Sequence, residues 1–342
     1  MISTNTGIST VLFYKVLKNK QVDKMVDAMR RLDGYAVNIY RPHTDTYEYS
    51  SSYFADRGMV VTISQFNDSP WGLYVYINPA MVLGYNELYQ PDKANFRKLE
   101  SKVHKMLSKL HCPYRLKDMK LSKVSLAFIL NLPSGKDVMD YLGAIRQAYL
   151  PHHYDVMQTE LNRHLYCQCC KRMMFSACDA VGCNAIGMNH IDYSLPPIPL
   201  GMTNLWLQLT MRNKVIRRKV GGNALNHHRA LMCLVEQAEE MFTKQFKTMK
   251  LYADSFVSYD EAVSLITNLK NRKNRERMLY LLKKTRDTGT LTDAVAKLKE
   301  KHKLNARQVN RVLRKFNKLG ISPITLANSE EELPGFKLIL EG

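Results

Sequence analysis

The sequence predicts an α+β fold: a mostly antiparallel sheet with helices on one face, followed by a basic all-α C-terminal domain. Three observations carry this. β-rich runs and amphipathic helical stretches are mixed through the first part of the chain without strict βαβ repetition. From about residue 255 the apolar periodicity is helical. Positive charge also concentrates there: Lys270 to Lys318 holds 17 Lys/Arg against four Asp/Glu, so 49 residues carry +13 of the chain's net +19. A length of 342 residues divides into a body over 1–250, with sub-halves about 1–115 and 116–250, and a basic helical unit over 251–342.

Taken in order, Ser9 to Leu17 is rich in β-formers. Val22, Met25, Val26, Met29 and Leu32 then recur at helical spacing up to Asp33-Gly34. Three β-runs follow, Tyr35 to Tyr40, Tyr47 to Phe54 and Met59 to Phe66, and Leu73 to Ile77 is a fourth. Asp92 caps a long helix with the stripe Phe96, Leu99, Val103, Leu107 and Leu110. A strand at Val124 to Leu130 precedes the turn Pro133-Ser134-Gly135 and a helix carrying Val138, Leu142 and Ile145.

In the C-terminal part, Ser258 and Glu261 form a capping-box pattern, as do Asn305 and Gln308. Lys270 to Arg275 is a basic turn leading into Met278 to Leu282. A helix from Thr292 to about Lys301 and a second from Asn305, ended by Gly320, are compatible with a helix-turn-helix. The second buries Val309, Val312, Leu313, Phe316 and Leu319 and turns Arg307, Arg311, Arg314, Lys315 and Lys318 to the other side. Phe336 to Leu340 reads as a short final strand.

Composition excludes several classes. Apolar residues make up 45% of the chain, enough for a sizeable core, and no run of 18 of them suggests a spanning helix. Met1 to Gly7 lacks a charged, then apolar, secretory pattern. The seven cysteines are therefore expected as reduced cytosolic thiols in a cytoplasmic protein. A charge of +19 draws the chain to a polyanion, DNA before a membrane, because the basic helices have ordinary core stripes and no large exposed aromatic face. Candidate phosphate contacts are Lys270, Arg272 and Lys273, the Arg307 to Lys318 set, and Arg212, Arg217, Arg218 and Lys219, where five cations stand in eight residues.

Asn78-Pro79-Ala80-Met81-Val82-Leu83-Gly84-Tyr85-Asn86 is followed by the long helix, by Leu121-Ser122-Lys123-Val124-Ser125-Leu126, by the Pro-Ser-Gly turn with its helix, and later by Leu205 to Arg212 and Leu319-Gly320-Ile321-Ser322-Pro323. This order resembles the gene II / gene X replication initiators of filamentous phages and their plasmid relatives, over about residues 7 to 325. The resemblance implies rolling-circle replication of a phage, plasmid or integrated element. An origin, as a hairpin or single strand, would be bound through Asn78, Pro79 and Asn86 and the basic helices, and host replication proteins are the further partners. It also implies strand nicking and joining: a tyrosine attacks a phosphodiester, and a divalent metal, Mg²⁺ or Mn²⁺, polarises the phosphate. Aligned with that pattern, the family's strand aspartate falls on Ser125, its glutamate on Gln208 and its tyrosine near Cys178. The nucleophile candidates are Tyr154 and Tyr166, beside His152, His153 and His164; Tyr74-Val75-Tyr76 places phenols on a strand where a histidine pair is expected. A non-catalytic DNA-binding factor or transcription regulator is the alternative. Cys167, Cys170, Cys178 and Cys183 have spacing that could serve zinc, or could be small buried sheet residues.

Overall fold

The computed structural model describes residues 3–33, 37–41, 46–67, 69–157, 165–180, 203–222, 226–326 and 332–341. His164 and Cys183 lie outside them. The fold is α+β. Strands β1 (Ser3–Val16), β2 (Val37–Arg41), β3 (Thr46–Ser51), β4 (Met59–Phe66) and β5 (Gly72–Ile77) belong to one sheet with β6 (Lys120–Leu132), β7 (Asp155–Val156), β8 (Leu165–Cys169), β9 (Met173–Asp179) and β10 (Thr203–Arg212). The order is β2-β3-β4-β5-β1-β6-β10-β9-β8-β7, and every pair is antiparallel.

That order is a palindrome in topology. A long strand, a helix, and then a four-strand meander whose last strand returns beside the first occur twice. The first set is β1, α1 (Asn19–Asp33) and β2 to β5; the second is β6, α4 (Gly135–Arg146) and β7 to β10. The two sets meet along β1 and β6, where Gly7 faces Ala127 and Thr10 faces Ser125.

The helices explain their positions. α1 buries Val22, Met25, Val26 and Met29, spaced three and four apart, against one face of the sheet. Short α2 (Pro79–Leu83) begins where Asn78 accepts from the Met81 amide at 3.2 Å, with Pro79 in the first helical position. Gly58 holds this corner: its φ is +77°, and a Cβ there would lie 2.6 Å from that of Met81. α3 (Lys93–Lys109) is capped by Asp92, as its sequence predicts. α5 (Asn213–Val220), α6 (His227–Glu236) and α7 (Ala238–Met249) follow β10 and join the same buried cluster.

The C-terminal helices are α8 (Tyr259–Thr267), α9 (Arg272–Thr288), α10 (Leu291–His302), α11 (Ala306–Lys318) and α12 (Phe336–Glu341), with a two-stranded ribbon of β11 (Ser255–Phe256) and β12 (Leu333–Pro334). They pack on the helix side of the body. Phe336 stacks on Phe246 of α7 with ring centroids 4.2 Å apart, and the Tyr141 hydroxyl donates to the Pro334 carbonyl at 2.6 Å. One buried cluster therefore runs from β1 to Phe336.

Two local expectations are corrected. Phe336 to Leu340 is helix, not strand: four apolar residues interrupted by Lys337 are too short a stretch to have a diagnostic period, and the helix lets Lys337 pair with Asp254 at 2.7 Å while Phe336 enters the core. The basic stretch at 270–275 is helix from Arg272 on, with Lys270 and Asn271 before it, because the Asn271 side chain accepts from the Asn274 amide at 3.0 Å and opens α9 there. Among the described residues no helix is long and apolar enough to cross a membrane.

Candidate nucleic-acid interface

α10 and α11 are joined by three residues, Lys303 in the left-handed region (φ 49°), Leu304 buried, and Asn305 as the cap. The Asn305 and Gln308 side chains each accept from the other's backbone amide at 2.9 Å, so the predicted capping box is present. α9 packs against both helices. α11 buries Val309, Val312, Leu313 and Phe316. Arg307, Arg311, Arg314 and Lys318 are exposed and follow one another at steps of four, three and four, a single stripe; Lys315 is half-buried at its side. No acidic residue lies on α11, and none of these five cations forms an ion pair with a described residue.

The other cationic candidates divide. Lys270, Arg272 and Lys273 are exposed at the start of α9, where Arg272 is tied to Glu276 at 2.8 Å. Neighbouring Arg275 instead donates to the Thr267 carbonyl at the end of α8, at 3.4 Å, and to the Leu269 carbonyl just beyond it, at 3.2 Å, a favourable place for a cation. Arg217 and Arg218 are exposed on α5 and Lys219 is half-buried. Asn78 and Pro79 are buried parts of the α2 corner, whereas Asn86 is exposed.

Arg212 has a second setting. It adjoins a groove of about 600 Å³ lined by Lys123, Lys171, Arg172, Arg212 and Lys214 with Leu12, Ser122 and Asn213. Arg217 lines a neighbouring depression with Lys15, Lys117, Lys120 and Tyr14. Lys171 and Arg172 form the corner of the β8–β9 turn, closed by the Cys170 amide donating to Met173 at 2.8 Å. Sequence reading found the basic stretch holding Arg212 and Lys214 but missed the cluster, because its members come from β6, a turn, β10 and α5. The Lys171-Arg172 pair in a short turn was the signal available.

Residues aligned with the initiator pattern converge on the sheet face turned away from the helices. Ser125 and Thr210 share a hydroxyl contact at 2.9 Å. The Gln208 Oε1 accepts from Ser9 at 3.1 Å and from the Trp206 indole at 3.3 Å, while its Nε2 donates to Thr210 at 3.2 Å. Cys178 faces Trp206 across β9 and β10. All of these are buried. The result is a neutral network whose donors and acceptors are matched internally. Tyr74 and Tyr76 extend the same face on β5, half-buried, and the Lys123 ammonium lies 5.9 Å from the Tyr76 ring.

The nucleophile candidates lie elsewhere. Tyr166 alternates to the helix side of β8, where its hydroxyl donates to Gln168 at 3.1 Å and burial pushes its phenol up to about 12. Tyr154 is buried beside Cys170, and burial followed by that thiol pushes its phenol well above the usual tyrosine range. His152 and His153 are exposed, with the His153 ring 4.8 Å from that of Tyr154. A raised phenol pKa disfavours the phenolate that would attack phosphorus. Cys167, on β8, is buried with its thiol pushed up to about 12 by that burial and Cys169 beside it; Cys170 is half-buried in the turn. None of the six described cysteines is disulfide-bonded. Among the described residues no three His, Cys, Asp or Glu side chains group as a metal site.

Compared with known proteins, the chain matches no family model, no curated protein and no solved structure.

Proposed function

We propose that this protein binds DNA through α11 and acts by occupying its site, as a replication-initiator-like factor of a phage, plasmid or integrated element. The observation that carries the reading is the exposed, acid-free stripe Arg307, Arg311, Arg314 and Lys318 on α11, the second of two helices joined by a three-residue turn. A phosphate backbone is the polyanion such a stripe fits, since each cation placed on a phosphate releases a condensed counterion. Buried α11 residues fix the helix on α9 and α10, so the stripe is presented on a rigid element.

Occupancy is favoured over cutting by the chemistry at Ser125 and Gln208. A hydroxyl and an amide stand where the initiator pattern has carboxylates, and both are already committed to Thr210, Ser9 and Trp206. Neutral oxygen ligands hold Mg²⁺ or Mn²⁺ less firmly than carboxylates do. The two nucleophile candidates are buried phenols away from this network.

The test uses the full chain with supercoiled origin-bearing DNA and Mn²⁺. The expected result is a retarded complex, no relaxed circles and no covalent 5′ adduct. An adduct would overturn occupancy, and absence of a salt-sensitive complex would overturn DNA binding.

A further inference from the structure

The groove formed by Lys123, Lys171, Arg172, Arg212 and Lys214 carries five cations and no acidic residue among the described residues that line it. It is assembled by register. Leu12, Lys123 and Arg212 stand side by side across β1, β6 and β10. Their strand neighbours Val11, Val124 and Met211 enter the buried cluster under the helices. Side chains alternate along a strand, so Lys123 and Arg212 point from the opposite face. The backbone also ties this end together: the Arg212 amide donates to the Arg172 carbonyl at 3.1 Å, fixing the β8–β9 turn beside β10. α11 belongs to the helical layer on the other side, anchored through Phe336, Phe246 and Phe256.

Like charges gathered this closely repel one another, and a polyanion offsets that cost. α11 and the groove's Lys123 and Arg212 therefore belong to opposite sides of the sheet. We infer that the groove is a second, independent polynucleotide-binding site, recognising phosphodiester backbone, so that one molecule holds two nucleic-acid segments at once. The inference rests on the reading of α11 as a DNA-binding helix.

The experiment is a bridging assay with the full-length chain. A biotinylated duplex on beads is loaded with protein and washed, and a fluorescent second DNA is added in excess. Wild type is expected to retain the duplex and capture the second DNA at near one-to-one stoichiometry. The exposed-site variant K171A/R172A/K214A is expected to retain the duplex and lose at least about tenfold in capture, from three lost phosphate contacts. The variant R311A/R314A, left with the groove alone, is expected to hold one DNA at a time: it binds the bead duplex or the fluorescent DNA in solution and captures none. Capture unchanged in K171A/R172A/K214A would overturn the inference, because bridging would then come from association of two copies through α11. Duplex retention without any capture by wild type would overturn it while leaving α11 in place. Failure of wild type to hold the first duplex would overturn the α11 reading itself.

Discussion

Replacing Arg311 and Arg314 together by Ala tests the stripe in a way that separates charge from folding. Both are exposed on α11, and neither packs into the cluster that holds the helix, so the fold keeps its buried side chains Val312, Leu313 and Phe316. If all four stripe cations sit on phosphates, binding should weaken with salt at a logarithmic slope near −3.6, taking about −0.9 per contact. The double variant should show a slope near −1.8. Over a fourfold change in salt, from about 50 to 200 mM, wild type should lose roughly 150-fold in affinity and the variant roughly 12-fold. Contacts made by the sheet-end groove on a long DNA would add a constant to both slopes, so the assay uses a duplex of about 12 base pairs and reads the difference. Fluorescence anisotropy at four salt concentrations measures it. Equal slopes for the two proteins, with affinity lowered or not, would refute phosphate contact by this stripe.

Three further outcomes follow from the same structure. Gln208→Ala should destabilise by about 1–3 kcal/mol in urea unfolding, since Ser9, Trp206 and Thr210 lose a buried partner; a change below about 0.3 kcal/mol would mean the network is not holding the sheet. Asn305→Ala removes the α11 cap and should cost about 1 kcal/mol, with DNA affinity falling no more than the lost fold explains. Burial holds Cys167 and Tyr166 up to about 12 and Cys112 up to about 11, against ordinary values of 9 for a thiol and 10 for a phenol. Only the unfolded chain releases these protons above about pH 9, so stability should be unaffected by them at neutral pH and fall as pH climbs from 9 to 11. Equal denaturation midpoints at pH 7.5 and 10.5 would contradict that burial.

Much of the fold was legible because periodicity reports burial. Val309, Val312, Leu313 and Phe316 announced α11, and the Asn305–Gln308 box placed its first turn. Met59 to Phe66 alternates and is β4, end to end. Phe336 to Leu340 was misread because so short a stretch, four apolar residues around Lys337, fits a strand and a helix equally; only the packing of Phe336 on Phe246 decides it. The site was legible where one element carries it, as on α11. It was illegible where the fold gathers it, since Lys123, Lys171 and Lys214 are each ordinary surface lysines until β6, the β8–β9 turn and α5 meet. Asn78 and Pro79 show the converse: a segment that stands out in sequence serves to cap a five-residue helix.

The position of β1 has a consequence for biosynthesis. β1 lies at the middle of the sheet, and its two neighbours are made at different times: β5 ends at Ile77 and β6 at Leu132. At about 5–20 residues per second the ribosome needs roughly 3 to 11 seconds to add the intervening stretch. Through that interval one edge of β1, bearing Ile8, Val11 and Phe13, has no partner. Two nascent chains on one message could trade β6 strands there, so crowded translation would select for slow initiation or for a chaperone that shields this edge.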